Sequence, residues 1–179
     1  MKLTPSTCGS VRNPKYLTPF TFKPWVFPEG FTLIVDTREN QSPLFLDRPP
    51  KGLTVVRDTL KNGDYGLRNF PNFAIERKYE GDLFGYCSSE MDAKTYPKMD
   101  RFRAMIDVGG WVGLVIECRM SDIFKWQEHT SISPECVRGA LTKFSVKYGV
   151  QIFFANTREC ASRIILDHAL RYYNLQYEL

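Results

Sequence analysis

Apolar positions along this chain follow two periods, and the change from one to the other gives the first outline of its elements. Phe31 to Val35 is a short apolar run that ends in Asp36-Thr37-Arg38-Glu39, the pattern of a rigid strand that delivers a polar cluster at its C-terminal rim. A loop marked by Pro43, Pro49 and Pro50 follows, and strand character resumes from Leu53 to Leu60 through Thr54, Val55, Val56 and Thr59. Asn62-Gly63 is a hairpin-turn signal and places Asp64 just after a tight turn. The next strand is predicted from Phe73 to Lys78. Trp111 to Cys118, bounded by Gly109-Gly110 and Arg119, is nearly continuous in apolar residues and reads as a central strand buried on both faces. Val150 to Ala155 is another buried strand.

The helical period takes over between and after these runs. A helix following Lys78 carries Asp82, Leu83, Phe84 and Tyr86 on its first turns. Over residues 94–106, Met99, Phe102 and Ile106 recur at helical spacing, with Pro97 near the first turn. Residues 134–148 form the cleanest amphipathic helix: Ser133 caps it, Pro134 opens it, and Val137, Leu141, Phe144 and Tyr148 line one face. Asn156 and Glu159 have capping-box spacing at the start of a last helix bearing Ala161, Ile164, Ile165, His168 and Tyr172. His168 lies on that apolar stripe and reads as a core histidine. Strands come first and then alternate with helices, which predicts an α/β three-layer domain: a central mixed β-sheet flanked by helices.

Residues 1–30 do not fit either period. Five prolines alternate there with Tyr16, Phe20, Phe22, Trp25 and Phe27, so the segment is expected to be an extended arm laid against the body, with residues 31–179 forming the domain proper. The alternative is an aromatic, lysine-bearing arm that contacts nucleic acid or a second subunit. Composition narrows the class only slightly. The 179 residues, 43% of them hydrophobic, suffice for one substantial core, and a net charge of +4 permits a polyanionic partner without requiring one. Five cysteines without CxxC spacing and only two histidines suggest neither a zinc site nor a disulfide framework, so a soluble protein of a reducing intracellular compartment is expected. No apolar run approaches membrane-spanning length.

The chemistry concentrates between Gly63 and Asp82. Strand period sends Glu76 and Lys78 to one face and Ile75 and Arg77 to the other, so a carboxylate and an ammonium stand a few ångströms apart where a core would take apolar residues. Asp64, on the preceding strand of a hairpin, can join them. Phosphodiester hydrolysis brings an anionic nucleophile to an anionic phosphorus, and a divalent cation eases this by activating a bound water. Magnesium prefers oxygen ligands and keeps several waters, so two carboxylates and a backbone carbonyl suffice, and manganese is expected to substitute. Asp64 and Glu76 are the expected ligands, with Asp36 as a second-metal or supporting ligand. Lys78 is placed to orient the attacking water or help deprotonate it. Arg38 and Glu39 support the rim or touch the phosphate, while Arg77 is expected to pair with Asp82 or Asp36.

These residues also carry a family resemblance. Leu33 to Glu39, then Gly63-Asp64-Tyr65, then Glu76-Arg77-Lys78-x-x-x-Asp82, resembles the nuclease domain of the XPF family of structure-specific endonucleases, whose signature is GD, a spacer, then ERKxxxD. The resemblance implies a restriction-endonuclease-like fold and a magnesium-dependent enzyme that cuts DNA near duplex/single-strand junctions, flaps or branches in repair or recombination. It implies products with a 5′-phosphate and a 3′-hydroxyl, and catalytic roles for Arg77 and Asp82. Lys94, Tyr96, Lys98 and Arg101 fall on a weaker family run, Arg-x-Tyr-x-Gln-x-x-Arg, and with Arg103 they imply a DNA-facing helix. The family usually continues into a helix-hairpin-helix region, and the chain ends at Leu179 without one. Junction selectivity is therefore expected from the arm, from a homodimer or from a nuclease-domain partner. A duplex-cutting restriction-like nuclease and a non-catalytic DNA-binding pseudonuclease are the alternatives.

Overall fold

The computed structural model describes residues 24–40, 45–88 and 92–178, with side chains of 92–94 left aside. Six strands form one mixed sheet in the order β2-β1-β3-β4-β5-β6. They are β1 (Thr32–Asp36), β2 (Thr54–Asp58), β3 (Tyr65–Leu67), β4 (Phe70–Tyr79), β5 (Trp111–Glu117) and β6 (Gln151–Phe154). β1 runs parallel to β2 and antiparallel to β3, β3 is antiparallel to β4, and β4, β5 and β6 are parallel. Helices α1 (Glu80–Tyr86), α2 (Asp92–Asp107), α3 (Pro134–Tyr148) and α4 (Arg158–Leu175) complete the described elements with a short 3₁₀ turn at Asp122–Phe124.

Two cores, one on each face of the sheet, make the three layers. Ala74, Leu114 and Ile116 pack with Leu83 and Phe84 of α1, Met99 and Phe102 of α2, and Val137 and Phe144 of α3. On the other face Phe73, Ile75 and Val115 pack with Ala161, Ile165 and Ala169 of α4. The alternation along β4 is thus as period two requires. Ser133 caps α3 by accepting from Cys136 N, and Gly149 ends the helix in the left-handed conformation at φ 75°. Of the N-terminal arm, residues 1–23 lie outside the described ones. Trp25 Nε1 donates to Asp167 Oδ1 at 2.6 Å, and the Phe27 ring stacks 5.4 Å from Phe31. His168 stacks on Trp111, and its Nδ1 lies 2.7 Å from the Ile164 carbonyl oxygen. No described helix is long and apolar enough to cross a membrane, and the four described cysteines are free.

Three local expectations change. Asn62-Gly63 turns the chain but makes no hairpin, because β1 lies between β2 and β3 in the sheet. Gly63 is required there for another reason: its φ is 76°, and a Cβ would stand 2.9 Å from the Ile75 carbonyl oxygen. The hairpin is β3–β4, where Leu67 pairs with Phe70 across Arg68-Asn69 and Asn69 takes φ 69°. α4 is capped by Thr157, which accepts from Cys160 N, rather than by Asn156. Pro97 lies inside α2, beyond its first turn, where it removes one backbone donor.

Candidate active site

Because β1, β4 and β5 run in the same direction, their C-terminal ends share one edge of the sheet, and β3, running against them, begins there. That edge gathers Asp36, Asp64, the end of β4 and Glu117. Asp64 is clamped between two strands: its N–H donates to Ile75 O at 2.8 Å, its carbonyl accepts from Asp36 N at 2.9 Å, and its Oδ2 accepts from Arg77 N at 2.7 Å. The closeness of Gly63 to β4 makes this clamp possible.

On the α1/α2 face, Glu76 is fully buried and Lys78 Nζ lies 2.6 Å from its Oε1. Lys78 Nζ also donates to Arg77 O at 3.1 Å and lies 4.0 Å from Asp64 Oδ2, so the three residues assemble as one group. A second ammonium arrives from α2: Lys98 Nζ donates to the same Glu76 Oε1 at 2.6 Å. Glu76 Oε2 and the Tyr86 hydroxyl are buried and have no partner among the described residues. These groups line a cleft of about 490 Å³. A second cleft of about 340 Å³, lined by Asp64 and Arg77, adjoins it, and Lys78 and the exposed Asp82 border both.

The two carboxylates are driven apart. Burial and then the Glu76 charge push Asp64 up to about 7. Burial works against the Glu76 charge as well, yet the Lys78 and Lys98 ammoniums outweigh it and hold its carboxyl below the ordinary value. Lys78 is opposed by burial but raised by Glu76 and Asp64, so in this arrangement it is an ammonium rather than a base. One ionised acid beside one poised near neutrality is the pattern of a reactive site.

The opposite face of β4 is closed by ion pairs. Arg77 Nε donates to Glu117 Oε1 and its Nη1 to Glu39 Oε1, each at 2.7 Å, and its Nη2 to the Tyr79 hydroxyl. Its carboxylate partners are therefore Glu39 and Glu117, not Asp82 or Asp36 as the sequence suggested. Asp36 is closed too. It accepts from Arg38 N, Arg38 Nε, Arg38 Nη2 and Leu60 N at 2.8, 2.7, 3.0 and 2.6 Å, which uses the acceptor sites of both oxygens. Burial opposes its charge, but these bonds hold its carboxyl below the ordinary range.

α2 does not present one uniform basic face. Tyr96 is half-buried and stacks with Tyr148, Lys98 turns into the cleft, Arg101 Nε donates to Asn62 Oδ1, and Arg103 pairs with Asp107. The Lys94 side chain lies outside the described ones. Sequence reasoning missed Glu117 and the turn of Lys98 toward Glu76. Glu117 ends a buried apolar run just as Asp36 does, which was the available signal; for Lys98 the helix pattern held none.

Among the described residues, no three His, Cys, Asp or Glu side chains gather to hold a metal ion. Asp64 and Glu76 keep acceptor capacity where the two clefts adjoin, and the buried Oε2 of Glu76, which has no partner among the described residues, is the kind of atom a hard cation would satisfy. The donor set fits a magnesium-type ion that keeps most of its waters.

The ERCC4 domain family model matches residues 35–167. Among solved structures, XPF from Aeropyrum pernix matches with a TM-score of 0.60 at 17% identity, over 79% of this chain and 61% of that one. XPF from Aeropyrum pernix in complex with DNA matches with a TM-score of 0.60 at 18% identity, over 82% of this chain and 66% of that one. The chain therefore spans less than two thirds of either. No curated protein matches.

Proposed function

Because the chain belongs to the ERCC4 domain family, we propose that it is a divalent-metal-dependent DNA endonuclease, selective for branched, flapped or junction DNA, that leaves a 5′-phosphate and a 3′-hydroxyl. The observation that carries this reading is the Asp64–Glu76–Lys78 group with its buried, unpaired Glu76 Oε2. The XPF-like fold supports it, as does the XPF relative in complex with DNA.

Asp64 and Glu76 would hold the ion, magnesium or manganese. When bound, the ion lowers the pKa of a water and polarises the phosphoryl oxygen. Lys78, kept charged by its two carboxylate neighbours, positions the attacking water and offsets charge on the phosphate. Arg77, tied to Glu39 and Glu117, holds β4 in register with its neighbours at the catalytic edge. Asp36 and Arg38 fix the rim of β1, and Asp82, exposed where the two clefts adjoin, is placed to meet substrate or bound water.

The test is a panel of labelled flap, fork, nicked, hairpin, duplex and single-stranded DNA with magnesium or manganese, read for product position and end chemistry. Wild type is expected to cut beside a junction. Asp64→Asn and Glu76→Gln are each expected to lower cleavage at least about 10²-fold. Cleavage of plain duplex as readily as of branched DNA would mark a restriction-like enzyme. Salt-sensitive DNA binding without product in either ion would mark a non-catalytic binder and overturn the reading.

A further inference from the structure

One carboxylate oxygen at the proposed site carries two ammonium groups. Lys78 Nζ and Lys98 Nζ each lie 2.6 Å from Glu76 Oε1, so they are within twice that distance of each other. The other oxygen, Oε2, is buried with no partner among the described residues, as is the Tyr86 hydroxyl in the same cleft. Two like charges so close are held there by the anion between them. A divalent ion taking up Glu76 withdraws that anion and adds positive charge, so one ammonium has to leave.

The two lysines are not equally placed to do so. Lys78 stands on β4 and is held besides by the Arg77 carbonyl at 3.1 Å and by Asp64 at 4.0 Å. Lys98 reaches in from α2 with a more exposed side chain, 28% against 19%, and beyond Glu76 it meets the Tyr86 ring at 5.9 Å. The turn of α2 that carries it is fixed, since the buried Thr95 hydroxyl donates to Tyr86 O at 3.2 Å and Met99 is fully buried. The backbone is thus anchored while the four-carbon stem can swing within the cleft. Lys78 alone already pairs Glu76.

We propose that Lys98 is a further catalytic residue, a tethered cation that occupies Glu76 in the resting protein, yields it to the divalent ion, and then pairs with a non-bridging oxygen of the phosphate brought into the same cleft. The proposal rests on the nuclease reading above. Lys98 makes and breaks no covalent bond and keeps its proton; its part is to stabilise charge that grows on the phosphate oxygens.

The experiment measures manganese affinity without DNA by electron paramagnetic resonance, and cleavage of the best substrate at saturating manganese, in wild type, Lys98→Gln and Lys98→Arg. Lys98→Gln is expected to bind manganese at least about tenfold more tightly, the lower end of what one neighbouring charge does at a carboxylate. Its kcat is expected to fall about 10²-fold while KM for DNA moves less than about threefold. Lys98→Arg, which keeps the charge, is expected to hold wild-type manganese affinity and recover part of kcat. A lysine with only a structural role would not tighten metal binding while slowing cleavage. Unchanged or weaker manganese binding in Lys98→Gln, or unchanged kcat, overturns the proposal alone. Failure of wild type and Lys98→Gln alike to bind manganese overturns it together with the nuclease reading.

Discussion

Glu76 and Arg77 are adjacent on β4, both almost wholly buried, and they face opposite circumstances. Arg77 meets two carboxylates and a tyrosine hydroxyl. Glu76 has two ammoniums crowded on one oxygen and, among the described residues, no partner on the other, and its neighbour Asp64 is pushed up to about 7. The protein has therefore put a satisfied charge and an unsatisfied one back to back through the same strand. Burial alone does not separate structural charge from chemical charge; the count of partners does. The satisfied face keeps the edge rigid, and the unsatisfied face keeps capacity for a ligand.

The largest test of this contrast lies on the satisfied side. Arg77→Met roughly keeps volume but removes the guanidinium that pairs with Glu39 and Glu117. Breaking a buried ion pair in this way is expected to cost about 3–5 kcal/mol of stability, measured by urea unfolding. A loss below about 1 kcal/mol would mean that the Arg77 network is as dispensable as a surface pair.

The unsatisfied side should respond with the opposite sign. Asp64 carries a raised pKa, so the folded protein binds a proton more tightly there than the unfolded chain does. The stability tied to that proton is intact below pH 4 and is lost as pH rises through about 7. Asp64→Asn removes the titration while its amide oxygen can still accept from Arg77 N. Without metal, the variant is expected to match wild type near pH 4 and to exceed it by about 2 kcal/mol at pH 8. Thermal melts across that range check it, and a deficit at pH 8 would show that Asp64 is structural.

The two faces were unequally legible in the sequence. Period two along Phe73–Lys78 is a local property, and it placed Glu76 and Lys78 together and Arg77 apart. The apolar run Trp111–Cys118 likewise declared a buried central strand, whereas Val150–Ala155, read as buried too, gives the edge strand β6, whose Gln151 is exposed and whose Ile152, Phe153 and Phe154 are only half-buried. What the sequence hid was pairing at a distance. Glu117 stands beside Arg77 because β4 and β5 are in parallel register, with Tyr79 opposite Glu117, and no local pattern specifies register. Asn62-Gly63 announces a positive φ but not which strands it joins; the hairpin expected between the strand after Asp64 and Phe73–Lys78 is β3–β4, and its turn lies at Arg68-Asn69 instead. Lys98 resembles any lysine on a helix; only the approach of α2 to β4 aims it at Glu76.

Asp36 lies at the border between the two faces, and Arg38 is the residue that assigns it to the satisfied one. Its carboxylate is buried, while the Arg38 side chain that pairs with it is 66% exposed. Loss of that guanidinium would still leave Asp36 the Arg38 and Leu60 backbone N–H groups, which every substitution at position 38 retains. Arg38→Ala is therefore expected to cost only about 1 kcal/mol. Because Arg38 also reaches Leu60 O at 2.6 Å, part of that loss belongs to the link between β1 and the segment after β2. If Asp36 is structural, the variant should bind manganese as wild type does, since freeing one edge of its carboxylate creates no site beside Asp64 and Glu76. A second manganese equivalent appearing in Arg38→Ala would instead show that Asp36 is a ligand held in reserve, and would move it to the unsatisfied side of the strand.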